Sequence, residues 1–515
     1  FVVDRGKLRV HPAGTMPVDT THPLYDEFLP RWCRARDVIG GEDHVKQSGE
    51  TYLPRLDSQT EEEFEAYVRR ASFFNASGRT AEGFSGMVFR RDPVIKLPEP
   101  GTPAGKVLEK LRTDIDMLGS SIYAFVKQVS TEIMTTGRAG TLVEWHDAEE
   151  RPFVCFYRAE EIINWRTERI NGTIMLSLVV LRETFDGPDP DNPFELKSIP
   201  QIRVLRLDTA KGMPQLVVDV WQELSQDGAK GKEWKLIDTL QPKRLGQTLG
   251  FIPFVFHGPL NDLPNPSKPP LEDIIVVNID HYRLDADFKH GLHFTALPTA
   301  WVSGFDKESS LRIGASTAWV TDVVGASAGF LEFKGQGLQT FEREKDRDER
   351  LMAILGSRML ESQKRVSESA EALSLRQAGE SSVVANMSAS MSKGLTKVLR
   401  WSYWWVSNEA RPEDISAETV SCELNKDFET ATMTAQELVA LVQSWQAGLL
   451  SHETALDLMR QGEIIPAART NEEELALIAA NPAPSIGPLA SLRKVRSVEA
   501  GQGGGSLKNP PNLPK

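Results

Sequence analysis

From Thr299 to Arg411 the chain contains no proline. Proline locks φ and lacks an N–H, so it ends or kinks helices. A stretch this long without one can be almost wholly helical. Just upstream, PLNDLPNPSKPP (259–270) is crowded with proline and reads as a hinge. Between the two, periodicity predicts a helix over 271–296. Leu271, Ile275, Ile279, Tyr282 and Ala286 mark one face, and Val277, Leu284, Phe288 and Leu292 another. A helix apolar on two faces packs between two neighbours. Pro298 stops it, and a small β-like insert follows at 299–335, with TAWVSGF, STAWVTDV and GFLEFKG separated by glycines. A second helix is expected over about 338–361, then RMLESQKRVSESAEALSLRQAGE (358–380), then a helix from about Ser367 to Val406. At ~1.5 Å per residue the last would be roughly 60 Å long. Gly379 and Gly394 lie inside it and mark candidate kinks.

Upstream of the hinge the pattern is α+β. Residues 1–60 read as loop-rich, with Pro12, Pro17, Pro23, Pro30 and Pro54. A helix is expected over 60–89, opened by a Thr60/Glu63 capping box, with Phe64, Tyr67, Ala71, Phe74 and Gly78 at helical spacing. A second is expected over about 105–136. The strands TLVEW and PFVCFY follow. From 160 to 257, INGTIMLSLVVL, QIRVLRL, QLVVDVWQEL, EWKLIDTL and FIPFVF are spaced like a meander. Asn171-Gly172 reads as a hairpin turn. Beyond the long helix, 433–480 is helical with a Gly448 break. The tail 481–515 is rich in Pro, Gly and Ser, a composition that cannot bury a core alone.

Composition excludes more than it proves. At 515 residues the chain should hold two or more domains. No run reaches 18 apolar residues, so no membrane-spanning helix is expected. The start, FVVDRGKLRV, lacks the pattern of a secretion signal. Cys33, Cys155 and Cys422 are too scattered for a disulfide framework or a zinc pattern, so a reducing compartment is the simplest reading. A net charge of −13 argues against a tight, generic nucleic-acid binder. It leaves open a conduit past which nucleic acid must slide, since each phosphate contact adds affinity.

No enzyme motif stands out. DGAKGKEWK (227–235) lacks P-loop spacing, and KGQGLQT (334–340) lacks a dinucleotide-site context. His290 and His293, one turn apart, could ligate a metal, but no third ligand joins them. Neither a metal nor any other cofactor is expected. EREKDRDER (342–350) is either a solvated helix face with i,i+4 pairs or a face that meets a copy of itself. Trp401, Tyr403, Trp404 and Trp405 need cover on both sides of a helix, from a domain core or from a core shared between subunits.

The order of parts resembles that of tailed-bacteriophage portal proteins. Several segments resemble, in wording, a portal-like family of podophages known only by a domain of unknown function. They are YLPRLDSQTEEEFEAYVRRASFFNASGRTAEGFSGMVFRRDPVI (52–95), TTGRAGTLVEW (135–145), EEIINWR (160–166), DFKHGLHFTALPTAWVSGF (287–305), IGASTAWV (313–320), LEFKGQGL (331–338) and SAEALSLRQAGESS (369–382). The resemblance covers roughly 50–460.

It implies an α+β portal fold. Residues 1–258 would be the wing, 259–298 the hinge and first stem helix, 299–337 a small β-containing clip, and 338–361 the second stem helix. Residues 362–372 would be a tunnel loop, 373–430 a long kinked helix and wing return, 431–480 a helical crown, and 481–515 a tail. Ser362, Gln363, Lys364, Arg365 and Ser367 would face double-stranded DNA, suited by size or charge to sequence-blind phosphate contact. Trp301, Phe305, Lys307, Arg312 and Trp319 would form the clip's partner-binding surface. The chain would assemble as a homo-oligomeric ring of about twelve at a capsid vertex, in the virion, after assembly in the host cytoplasm. Its partners would be the large terminase subunit, a head–tail adaptor, and the major capsid and scaffolding proteins. Two rivals remain: another structural protein of the tail or capsid, and a nucleic-acid-processing enzyme with a dispersed site.

Overall fold

The computed structural model describes residues 18–57, 59–188, 194, 196–210, 212–224, 233–296, 299–304, 322–331, 337–358, 383–426, 428, 435–461, 464–466 and 469–480. The chain divides into two compact units, Phe1–Phe428 and Glu429–Lys515.

Proline density hides the first helix, α1 (Pro23–Gly40). Pro23 occupies its first turn, where a missing N–H costs nothing, and the helix continues through Pro30. It buries Tyr25, Phe28, Trp32, Ala35 and Val38, a 3–4 spacing that outweighs the local breaker. A short α2 (Glu42–Gln47) follows. Of the segment read as loop, the part that is described, from residue 18 onward, is therefore largely helical.

The helix expected over 60–89 is two helices. α3 (Glu61–Arg70) carries the Thr60/Glu63 capping box. The chain then turns extended at Ala71, and Asn75 caps α4 (Ala76–Val88) by accepting the Gly78 amide at 2.9 Å. An asparagine that bonds forward backbone amides starts helices rather than continuing them. After β1 (Val94–Lys96), the helix expected over 105–136 also splits, into α5 (Pro103–Glu109) and α6 (Ile122–Thr136). Thr102 and Ser121 cap them, and an aspartate-stitched turn lies between. Gly137, at φ 74°, ends α6 against the Ser267 carbonyl, where a Cβ would sit at 2.9 Å.

The strands are β2 (Ala139–His146), β3 (Arg151–Arg158), β4 (Ile162–Ile170), β5 (Thr173–Pro188), β6 (Leu196–Asp208), β7 (Gln215–Leu224) and β8 (Glu233–Leu240). β4 to β8 form the expected antiparallel meander in sequence order. Asn171 and Gly172 turn β4 into β5 with φ of 50° and 85°, as a two-residue hairpin requires. A small hairpin, β9 (Lys243–Arg244) with β10 (Gln247–Thr248), leads to β11 (Phe254–His257). Here the reading by spacing fails: FIPFVF does not extend the meander. β11 pairs with β2 in a separate sheet ordered β11-β2-β3. All four of its residues are buried, so burial on both faces, not alternation, marks it.

Next come α7 (Glu272–Ala296), β12 (Thr299–Ser303), β13 (Ser327–Leu331) and α8 (Leu338–Arg358). β12 and β13 pair with each other. α9 (Val383–Val406) packs on the sheet β11-β2-β3 and on β14 (Ser421–Glu423), which itself pairs with β1. The helix expected from Ser367 is described from Val383 onward. It runs through Gly394 without a break. A Cβ there would lie 2.5 Å from His257 Nδ1, so this glycine serves close helix–sheet approach rather than a kink. His257 is fully buried, hydrogen-bonds Thr141 Oγ1 at 2.8 Å, and burial pushes its pKa down to about 3.

The tryptophan run resolves toward a core within the chain. Trp401 and Trp404 pack on Phe251, Trp405 stacks on Trp145, and Arg244 lies 4.2 Å above Trp404. In the second unit, α10 (Ala435–Gln446), α11 (His452–Gln461) and α12 (Asn471–Ala480) follow, with Gly448 at φ 74° between the first two. Among the described residues no helix is long and apolar enough to cross a membrane.

Candidate functional site

α7 is held by polar keys set into an apolar stripe. Leu271, Ile274, Ile275, Ile279, Tyr282 and Ala286 are buried. Asn278 and Asp285 lie on the same stripe, seven residues apart, and are also buried. Buried polar groups need partners, and both have them. Asn278 Oδ1 accepts the Ser77 amide at 3.0 Å and the Ser77 hydroxyl at 2.9 Å, while its Nδ2 donates to the Phe74 carbonyl. Thus Asn278 binds the α3–α4 break. Asp285 accepts the Ser72 amide at 2.8 Å and pairs with Lys289 at 3.0 Å and with Lys345 of α8. Burial opposes its ionisation, but Lys345, the Ser72 amide and Lys289 outweigh this and hold the carboxyl below its ordinary value. At the helix start Glu272, also buried, takes both Arg31 and Arg34 of α1, at 2.7 and 3.2 Å. Arg283 donates to the Tyr52 carbonyl, and Tyr67 to Asp287.

α8 returns antiparallel to α7. Gly291 faces Leu338, Asp285 faces Lys345 and His281 faces Glu349. At ~1.5 Å per residue, α7 is about 37 Å long. The charged run divides between two surfaces. Lys345 turns inward, lying over the Phe288 ring as well as on Asp285. Glu349 approaches buried His281 at 3.3 Å. Burial, with Lys345 adding to it, lowers the His281 pKa. Glu342, Arg343, Asp346, Arg347 and Arg350 stay exposed, with Arg347 on Glu344 at 2.8 Å. Leu351 and Ile354 are exposed on the same helix. The second apolar face of α7 is only partly covered: Val277, Leu284 and Phe288 are half-buried and Leu292 is exposed.

Between the helices the β12–β13 hairpin presents Trp301, which is 45% exposed. Its cross-strand partner is Gly329, whose missing side chain lets the indole lie within 3.0 Å of where a Cβ would stand. An aromatic over a strand glycine is a stable cross-strand pair. Of the expected clip surface, Trp301 alone is described; Phe305, Lys307, Arg312 and Trp319 lie outside the described residues. So do Ser362, Gln363, Lys364, Arg365 and Ser367 of the expected tunnel loop, Gly379, and most of DGAKGKEWK. His290 packs edge-on against Tyr67, and among the described residues no group of three His, Cys, Asp or Glu could hold a metal ion. The latch residues Glu272, Asn278, Asp285 and Lys345 were missed by sequence reasoning. For Asn278 and Asp285 the signal was present, two polar residues set among Leu271, Ile275, Ile279, Tyr282 and Ala286; for Lys345, inside a run of charged residues, there was none.

Residues 270–406 match the model of a family described as a domain of unknown function, DUF4055. That span takes in α7, the hairpin, α8 and α9. Comparison with curated proteins gives no match. Among solved structures, the chain is similar to one in the neck of an empty gene transfer agent particle computed with C6 symmetry. That match has 13% identity and a TM-score of 0.37, covering 74% of this chain and 89% of that one. A chain of the native gene transfer agent virion gives 14% identity and a TM-score of 0.33, with 81% and 97% covered. One in the native neck computed with C12 symmetry gives 12% and 0.34, with the same coverage.

Proposed function

We propose that this chain is the repeating subunit of a bacteriophage portal, a ring of about twelve copies at one capsid vertex. Double-stranded DNA would pass through it during packaging and ejection. The observation that carries the reading is the antiparallel α7–α8 hairpin. A tube of identical subunits needs two things of each one: a long straight wall element, and a rigid anchor that fixes its angle. α7 meets the second need, since five polar side chains pin it to α1, to the segment around Tyr52, and to the helices α3 and α4. α8 meets the first, leaving an alternating-charge face open for a neighbouring copy. Further support comes from the family match, which spans this helical hairpin and α9, and from the wording of segments across 50–460.

In this reading the unit ending at Phe428 supplies wing, stem and clip, and α10 to α12 the crown. The β12–β13 hairpin is where the large terminase subunit docks during packaging and a head–tail adaptor afterwards. Capsid and scaffolding proteins surround the wing. ATP hydrolysis belongs to the terminase, and this chain carries no catalytic step. Deleting 299–335 tests the reading: rings should still form, yet fail to bind terminase or adaptor. Loss of rings, or unchanged binding, would count against it.

A further inference from the structure

Where α9 meets β14, two buried donors have nothing to donate to. The helix lies against the strand in a fixed register. Ser392 Oγ accepts the Leu424 amide at 3.0 Å, and one turn on, Thr396 Oγ1 accepts the Cys422 amide at 3.0 Å. Carried one turn further, the same register brings Arg400 alongside Ser421. Ser392 and Thr396 also donate, to the Ser388 and Cys422 carbonyls. The Ser421 hydroxyl does neither. The residue is 3% exposed, and no partner meets that hydroxyl among the described residues. Arg400 Nε is buried and equally unpartnered, and among the described residues no carboxylate pairs with the guanidinium.

Both residues line a cavity of about 420 Å³ between α9, β14 and the segment that joins them. Half-buried Lys397 lines it from the same helix face, one turn before Arg400, and exposed Lys393 one turn earlier still. The cavity also holds acids. Asp262 takes both lysines, at 3.1 and 3.5 Å, and Glu413 and Glu423 stand exposed on its walls. Neither glutamate pairs with Arg400. With Lys426, four cations and three carboxylates line the cavity, a surplus of one positive charge on a chain of net −13.

We infer that this cavity binds a phosphate group, through the Ser421 hydroxyl, Arg400 Nε and Lys397. A buried donor left unpaired is costly, and a hydrogen bond to an anion is about twice as strong as a neutral one. An oxyanion therefore meets the need of both orphan donors at once. Donors arriving from a strand and from two turns of a helix suit a tetrahedral oxyanion, whose oxygens point apart, better than a planar carboxylate. The cavity's own glutamates, moreover, leave Arg400 unpaired. Its volume is that of a small ligand site, with room for a phosphate and the sugar that carries it. The site does not depend on the ring reading, since it lies within one chain.

The test titrates the full chain by calorimetry with inorganic phosphate and, separately, with a short DNA duplex, at low salt where phosphate contacts are strongest. Phosphate should bind the wild type. Arg400→Gln should abolish that binding, and Ser421→Ala should weaken it about tenfold, as for loss of one hydrogen bond to a charged group. Because Ser421 has no described partner inside the chain, Ser421→Ala should leave the urea midpoint unchanged or raise it, which separates lost binding from lost fold. Duplex binding weakened by the same two variants supports the site and identifies the nucleic-acid backbone as the source of the phosphate. Phosphate binding without duplex binding supports it for a free phosphorylated compound. Absence of phosphate binding to the wild type, or binding that both variants leave intact, overturns the site. A urea midpoint lowered by Ser421→Ala would show the hydroxyl already satisfied, and also counts against it.

Discussion

Asp285→Asn removes one charge from the latch without changing its shape. The carboxylate side chain is 5% exposed, Lys345 18% and Lys289 33%. Removing one partner of a buried pair costs about 3–5 kcal/mol, because the other charge stays behind unpaired. The two lysines here retain some water, which screens them, so the expected loss is about 2–3 kcal/mol. Urea unfolding followed by tryptophan fluorescence reads it. Lys345→Met should cost less, since the methionine still covers Phe288. The two changes together should be non-additive by about 1–2 kcal/mol, as for residues in direct contact. The pH dependence has a definite sign. The folded pKa of Asp285 is held below its ordinary value, so the unfolded state binds the proton more readily. The stabilisation is therefore present above about pH 4 and is lost as pH falls through the folded value. Asp285→Asn should flatten that acid limb. A loss under about 0.5 kcal/mol, or strict additivity with Lys345→Met, would refute the latch.

Three further outcomes are expected. Gly394→Ala should destabilise by about 1–3 kcal/mol, because its Cβ would press on buried His257; an unchanged urea midpoint would contradict that packing. Arg138→Met should stabilise by about 1–4 kcal/mol: the guanidinium is buried 3.9 Å from the Trp165 ring centroid, none of its nitrogens meets an acceptor among the described residues, and burial pushes its pKa down to about 9. Wild type should also recover stability relative to that variant as pH rises above about 9, where the unfolded arginine still holds its proton; a parallel pair of pH profiles would refute this. Lys364→Ala with Arg365→Ala should leave ring assembly intact and alter DNA retention in packaged particles, and unchanged retention would sink the tunnel-loop assignment.

The fold was legible where one face dominates. The apolar stripe of α7, the Asn171-Gly172 hairpin and the Thr60/Glu63 capping box each carry a local signal that tertiary packing reinforces. It was illegible where a local signal competes with packing. Pro30 suggested a loop but sits inside α1, whose buried aromatics decide the matter. Ala71 and Phe74 kept a helical rhythm across a real break that Asn75 closes by capping α4. FIPFVF read as one more meander strand, yet a strand buried on both faces, as Phe254–His257 is, says nothing about which sheet it joins. The site was less legible still. Asn278 and Asp285 interrupt an apolar face, and their partners Ser72, Ser77 and Lys345 lie far away in sequence. The charged run at 342–350 offered its i,i+4 pattern plainly, but not that Lys345 turns inward onto Asp285 or that the exposed Glu349 reaches buried His281.

Native mass spectrometry of the purified chain, with electron-microscope class averages of the same sample, tests the proposed ring itself. Closed rings near twelve subunits with a central hole are expected. A chain that stays monomeric or dimeric at high concentration, with scaffolding and capsid proteins present, would contradict it.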